Sequence, residues 1–166
     1  MRAEQSDQMV GDWYNMTIAA AIPAFNEEIA IGSVIARAKQ HVDEVLVIDD
    51  GSADSTAQIA ELMGATVICH EQNSGKGTAL RTAFRWAQLN KIDILVTLDA
   101  DGQHCPDEIP QIVEPILWQQ ADIVNGARFL KGHSVDVPKY RRVGQEVLTF
   151  ATNMTADVKL TDSQFC

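Results

Sequence analysis

Two carboxylates set two residues apart, Asp99 and Asp101, sit inside the stretch Ile94-Leu95-Val96-Thr97-Leu98-Asp99-Ala100-Asp101-Gly102-Gln103-His104. Paired hard oxygen ligands suit Mg²⁺ or Mn²⁺, ions that keep several waters and share the phosphate oxygens of a substrate. The same spelling also suits a plain Asp–Gly turn, so the neighbourhood has to decide. The apolar residues before Asp99 read as a buried strand of a parallel sheet. In open α/β sheets, ligands bind beyond the carboxyl ends of such strands.

The elements that must position this pair alternate strand and helix. A first strand is expected over 17–22, stopped by Pro23, and a helix over 27–41 that places Ile31, Val34, Ile35 and Ala38 on one face. A second strand over 44–48 leads to a helix capped by Asp54 or Ser55 and closed by Gly64. A short strand over 66–69, a helix over 75–89 and the strand into Asp99 follow. The next helix is expected over 107–119, with Pro110 tolerated in its first turn and Pro115 kinking or ending it. A strand over 123–127 then delivers Arg128, followed by a loop over 129–138, a helix over 140–154 and the start of a strand over 160–165. This alternation specifies an α/β fold, a mainly parallel sheet covered on both faces. Residues 1–16 read as a loose polar N-terminal arm and 17–166 as one domain.

Polar residues gather where the strands end. The first strand runs into Pro23-Ala24-Phe25-Asn26-Glu27, the second into Asp49-Asp50-Gly51-Ser52, the fourth into Asp99-Ala100-Asp101, and the fifth into Gly126-Ala127-Arg128. In a parallel sheet those ends share one edge, so acids, amides and an Arg converge on one cleft. Asn73-Ser74-Gly75-Lys76-Gly77-Thr78 is superficially like a P-loop, but His70 and Gly77 stand where that motif needs Gly and Ser or Thr. No G-x-G-x-x-G follows the first strand, which removes a dinucleotide reading. Gly75 and Gly77 still allow close backbone approach to a ligand, with Lys76 as a mobile cation.

Taken in order, Pro23-Ala24-Phe25-Asn26-Glu27, Asp49-Asp50-Gly51-Ser52, Gly75-Lys76-Gly77 and Asp99-Ala100-Asp101-Gly102-Gln103-His104 resemble the motifs of family 2 glycosyltransferases. Within that family the pattern is most similar to the dolichyl- and polyprenyl-phosphate sugar synthases. The resemblance covers residues 18–166 and implies a GT-A fold, a three-layer α/β/α sandwich. It also implies metal-dependent, inverting transfer from a GDP- or UDP-sugar donor to a polyprenyl or dolichyl phosphate. By position, Pro23, Ala24, Asn26 and Glu27 would line the nucleoside pocket, Ile48 and Asp50 would hold the base, and Lys76 would lie nearby. Asp99, Ala100 and Asp101 would meet the ribose and the metal–diphosphate unit, with Gln103 as a further ligand of Mg²⁺ or Mn²⁺. Arg128 and Arg142 would meet phosphates, and Asp162 would lie on the acceptor side. Relatives continue beyond Cys166, so the resemblance implies a domain shortened at its C-terminal side, better able to bind a donor than to complete transfer. An unfinished sheet edge would also favour homo-oligomers.

Two acceptor chemistries follow. A lipid phosphate is already ionised and needs no strong base, only guanidinium groups that screen one anion from another. A saccharide hydroxyl needs a carboxylate base, and Asp162 is the candidate. A non-catalytic nucleotide-sugar-binding module is the alternative to an enzyme, and a sugar-1-phosphate nucleotidylyltransferase lacks its Gly-rich signature here.

The whole chain bounds these readings. At 166 residues it can bury a sizeable core, and its formal net charge of −10 argues against a nucleic-acid partner. A bound divalent ion can still invert the local field for an anionic ligand. The three cysteines are an odd number without zinc spacing. Cys69-His70 and His104-Cys105 therefore read as strand-end and loop residues rather than metal ligands. No apolar run approaches the ~18 residues of a membrane span. The expected location is the cytoplasm, meeting a membrane's cytoplasmic face only through a lipid acceptor.

Overall fold

The computed structural model describes residues 16–126, and the chain divides into two compact units, Met1–Ala121 and Asp122–Cys166. The first unit is built on four parallel strands, β1 (Ile18–Ala24), β2 (Glu44–Asp49), β3 (Thr66–Cys69) and β4 (Ile94–Thr97), in the order β3-β2-β1-β4. Between and after them come α1 (Ile31–Ala38), α2 (Thr56–Leu62), α3 (Lys76–Leu89), a 3₁₀ turn over Pro106–Glu108 and α4 (Ile109–Leu117).

Strand alternation divides the apolar residues between the two faces of the sheet. Ala20, Ile22, Val45, Val47, Ile94 and Val96 point to one side, where Ile31, Val34, Ile35 and Ala38 of α1, Ala60 of α2, and Ile109 and Val113 of α4 cover them. Ala21, Leu46 and Ile48 point to the other, under Ala79 and Ala83 of α3. The alanines let α3 lie close against the strands. These are the three layers expected of the α/β/α sandwich.

Several boundaries differ from the sequence expectation, each for a local reason. β1 continues through Pro23 to Ala24 instead of stopping at 22. Leu98 N–H donates to Ala21 O and Asp50 N–H donates to Ala24 O, so odd residues of β1 face β4 and even ones face β2. Pro23 faces the β4 side beyond the last paired residue, where a missing N–H costs nothing. The first helix begins at Ile31 rather than 27, because Glu27 and Glu28 N–H donate to Thr56 Oγ1 and Asp54 Oδ2 in the next loop. It ends at Ala38, with Gln40 and His41 in tighter turns bonded to Arg37 O and Ala38 O. Gly64 does close α2: its N–H donates to Glu61 O while Ala65 N–H donates to Ala60 O, the paired bonds of a glycine-terminated helix. α4 runs through Pro115 and stops two residues later.

Residues 123–126 form no strand, and Ile123 is 87% exposed. Ile123-Val124 is only two apolar residues between Asp122 and Asn125, short of the roughly four to eight that carry a buried strand. The N-terminal arm, Arg128, the loop over 129–138, the helix over 140–154, Arg142, the strand over 160–165 and Asp162 lie outside the described residues. No helix among the described residues is long and apolar enough to cross a membrane.

Candidate donor site

Because the four strands are parallel, the loops after β1, β2, β3 and β4 all leave from one edge of the sheet. Side chains lace the first two loops together. Asn26, at φ 55°, donates its N–H to Ser52 Oγ at 2.9 Å and accepts from Ala53 N–H on Oδ1 at 2.9 Å. Glu28 Oε2 accepts from Ser55 N–H at 3.0 Å. Asp49 binds Ser52 through both the backbone N–H and the hydroxyl, which fixes the turn at Gly51. Asn26 is thus spent on loop architecture, and Glu27 is left beside it.

Asp50 is buried, with 4% of its surface exposed. It accepts from Gly75 N–H at 2.7 Å, from Ser74 N–H at 3.1 Å and from His70 Nδ1 at 2.6 Å. Burial pushes its carboxyl up, but these hydrogen bonds outweigh burial and hold it below the usual aspartate range. Its acceptor capacity goes largely to the start of α3. Ile48 is fully buried under α3, so its side chain offers no surface to a ligand, and Ala24 and Ala100 are core residues too. Pro23 is half-buried at the end of β1.

The loop after β4 carries the acidic pair. Asp99 N–H donates to His104 Nδ1 at 2.9 Å, which folds the loop back on itself, and Gln103 N–H donates to Asp101 Oδ1 at 2.9 Å across Gly102. Arg37 of α1 donates to Cys105 Sγ at 3.1 Å and Asp107 Oδ2 at 2.7 Å, tying the loop's far end to the core. Lys76, the first residue of α3, forms an ion pair with Asp99. Asp101 and Gln103 are exposed.

Glu27 responds to this company. Its carboxyl lies above the ordinary glutamate range, first through burial and then through the negative charges of Asp101, Asp54 and Asp99. Thus Glu27 feels the charges of Asp99 and Asp101 across the sheet edge. Among the described residues no group of three His, Cys, Asp or Glu stands close enough to hold a metal by itself. Asp99, Asp101 and the Gln103 amide can supply two or three hard oxygens, which fits Mg²⁺ or Mn²⁺ completed by water and phosphate, not a closed cage. Of the soft pairs, His70, His104 and Cys105 have partners within the protein, and Cys69 is a free, exposed thiol. Cys105 receives Arg37, and both histidines serve aspartates.

Residues 19–164 match the model of glycosyl transferase family 2. The chain belongs to that family. Family members similar to it include UDP-N-acetylglucosamine--dolichyl-phosphate N-acetylglucosaminyltransferase of Methanococcus voltae, 34% identical, with 86% of this chain and 64% of that protein covered. Undecaprenyl-phosphate mannosyltransferase of Micrococcus luteus is 34% identical over 70% of this chain and 50% of that protein. Among solved structures, glucosyl-3-phosphoglycerate synthase of Mycobacterium tuberculosis, in complex with Mn²⁺, UDP and glucosyl-3-phosphoglycerate, superposes with a TM-score of 0.55 and 35% identity. That superposition covers 66% of this chain and 42% of the other. The chain therefore spans less than two thirds of the length of these relatives. Membership of the family and the GT-A-like α/β fold agree with the sequence expectation.

Two functional-site residues escaped the sequence reading of roles. His104, part of the acidic motif, also organises the loop by accepting from Asp99 N–H. His70 was set aside as a strand-end residue, yet it bonds Asp50.

Proposed function

We propose that this family 2 chain carries the donor-binding half of a metal-dependent, inverting glycosyltransferase. It takes a nucleotide-sugar and serves transfer to a polyprenyl or dolichyl phosphate. The observation that carries the reading is the meeting of Glu27, Asp99 and Asp101 with Lys76 at the carboxyl edge of the sheet. The names of its relatives support both halves: one acts on dolichyl phosphate, and another was crystallised with Mn²⁺ and UDP.

Asp99, Asp101 and Gln103 would hold Mg²⁺ or Mn²⁺. When bound, the ion stabilises charge developing on the departing nucleoside diphosphate as a Lewis acid. Lys76 is placed to exchange its contact with Asp99 for a phosphate oxygen, because its flexible stem reaches from the helix start. The laced loops of Asn26, Ser52 and Asp54 hold Glu27 and the nucleoside side of the cleft in one geometry, which lowers the ordering cost of binding. Arg128 and Arg142 are proposed to screen and aim the lipid phosphate, whose own ionisation removes the need for a strong general base. The protein is proposed to work in the cytoplasm, meeting a membrane through that acceptor.

Calorimetric titration with GDP-mannose, UDP-glucose and UDP-N-acetylglucosamine, with Mn²⁺ and then with EDTA, tests the reading. Metal-dependent binding of one donor, lost in Asp101→Ala, is the expected outcome. A folded protein that binds none of the three would overturn it.

A further inference from the structure

Outside the acidic loop, one part-buried polar network at the same edge of the sheet has no part in the reading above. It joins Asp50 at the end of β2, His70 after β3 and Thr82 in the middle of α3. His70 Nδ1 lies 2.6 Å from Asp50 Oδ1, and His70 Nε2 lies 3.0 Å from Thr82 Oγ1. The Thr82 hydroxyl has one proton and also lies 3.2 Å from Thr78 O. Either contact can take that proton, and in both cases the hydroxyl pairs with the far ring nitrogen. Asp50, already receiving Ser74 and Gly75 N–H, is an acceptor and assigns a hydrogen to Nδ1. His70 thus bridges a strand end and a helix through its two ring nitrogens.

The network bears on the site through Lys76. Asp50 grips the two residues before α3 while His70 grips α3 six residues after Lys76, so the helix start is held from both sides. The loop between them has little room to shift. His70 N–H donates to Asp49 O at 2.8 Å, and a Cβ on Gly51 would meet the backbone of Gln72 and Asn73 at 2.7–2.9 Å. Lys76 leaves this clamped turn directly for Asp99.

We propose that His70 is a positioning residue of the donor site: by bridging Asp50 to Thr82 it sets the first turn of α3 and with it the placement of Lys76. The role rests on the donor reading above. It differs from mere packing, because it requires both ring nitrogens at once.

Two substitutions separate the nitrogens: the amide of His70→Asn reaches about where Nδ1 stands, that of His70→Gln about where Nε2 stands. Each restores one link and not the other, and Thr82→Val removes the far partner while keeping the side-chain shape. The readouts are amide exchange at Ser74, Gly75 and Lys76, and calorimetric donor affinity in Mn²⁺. Loss of one hydrogen bond to a charged group corresponds to about tenfold in affinity. All three variants are expected to weaken donor binding by about that factor and to speed exchange at Gly75 while leaving 84–87 protected. Lys76→Met, costly in the wild type, should add less than about twofold in the His70→Gln background, as expected for two residues acting as one unit.

Should either His70 variant fail to fold, Thr82→Val still carries the test. Donor affinity within twofold of wild type in His70→Asn, His70→Gln and Thr82→Val overturns the proposal. So does a Lys76→Met effect that is fully additive. A wild type that binds no donor would instead sink the donor reading itself, and this role with it.

Discussion

Removing the Asp50 carboxylate should cost far more than its size suggests. Asp50→Ala deletes the acceptor for three donors, Gly75 N–H, Ser74 N–H and His70 Nδ1–H, at a position with 4% exposure. Water cannot readily replace it there, so the two amides and the imidazole lose their partner without gaining another. Breaking a buried pair by removing one partner typically costs about 3–5 kcal/mol. Hydrogen bonds to a charged group contribute about 1.5–3 kcal/mol each, but they share one carboxylate and do not sum. We expect a loss of about 3–5 kcal/mol for Asp50→Ala, a large fraction of the stability of a small domain. Asp50→Asn keeps the shape and one acceptor for Gly75 N–H, yet turns an amide N–H₂ toward a donor, and about 2–3 kcal/mol is expected. Urea unfolding followed by far-UV circular dichroism reads both. With a slope near 2 kcal/mol/M, the midpoint should fall by about 1.5–2.5 M for the alanine variant and by about 1–1.5 M for the asparagine one. A midpoint within about 0.5 M of wild type in both variants would show that Asp50 is not the anchor of α3 described above.

Three further outcomes follow from neighbouring residues. Gly51 and Gly102 share nearly the same positive φ, 77° and 76°, but of the two only Gly51 has backbone atoms within 3 Å of an added Cβ. Gly102→Ala should therefore cost about 1–2 kcal/mol for the left-handed conformation alone, and Gly51→Ala about 3 kcal/mol or more; equal melting temperatures would refute the difference. The depressed Asp50 carboxyl stabilises the fold above the ordinary aspartate value and loses that contribution as pH falls through its folded value. Acid unfolding of the wild type should thus show a steep low-pH limb that is shallower in Asp50→Asn. Glu27, whose carboxyl is raised, has the opposite sign: its contribution is present at low pH and lost as pH rises through the folded value. Glu27→Gln should therefore melt no lower than wild type at neutral pH without metal, while binding donor more weakly; a clear drop in melting temperature would count against the shared acidic field.

The layers and the cleft edge were legible because they depend on patterns that repeat. Helical spacing at Ile31, Val34, Ile35 and Ala38 and the apolar runs of β2 and β4 report burial whatever surrounds them. The failures are places where tertiary partners decide. Glu27 and Glu28 look like the first turn of a helix until Thr56 and Asp54 take their N–H groups. Pro23 looks like a stop until the sheet order leaves its side of β1 unpaired. The role of Asp50 in gripping α3, which leaves its expected contact to a base untouched, appears only when the loop after β3 is in place.

His70 is the instructive case, because its signal was present and unused. Helix α2 returns the chain from β2 to a strand beside it, and parallel pairing fixes neighbours once one register pair is known. Asp49 pairs with Cys69, so the next residues along, Asp50 and His70, leave adjacent strands side by side at the same edge. Two chemistry-bearing residues at matching positions beyond paired strands are bound to meet. The sequence places Thr82 six residues beyond Lys76, on a helix that must cross over these same strand ends. A reading that aligned the strands against one another, instead of taking each strand end singly, would have placed His70 between a carboxylate and the helix before any coordinates were known.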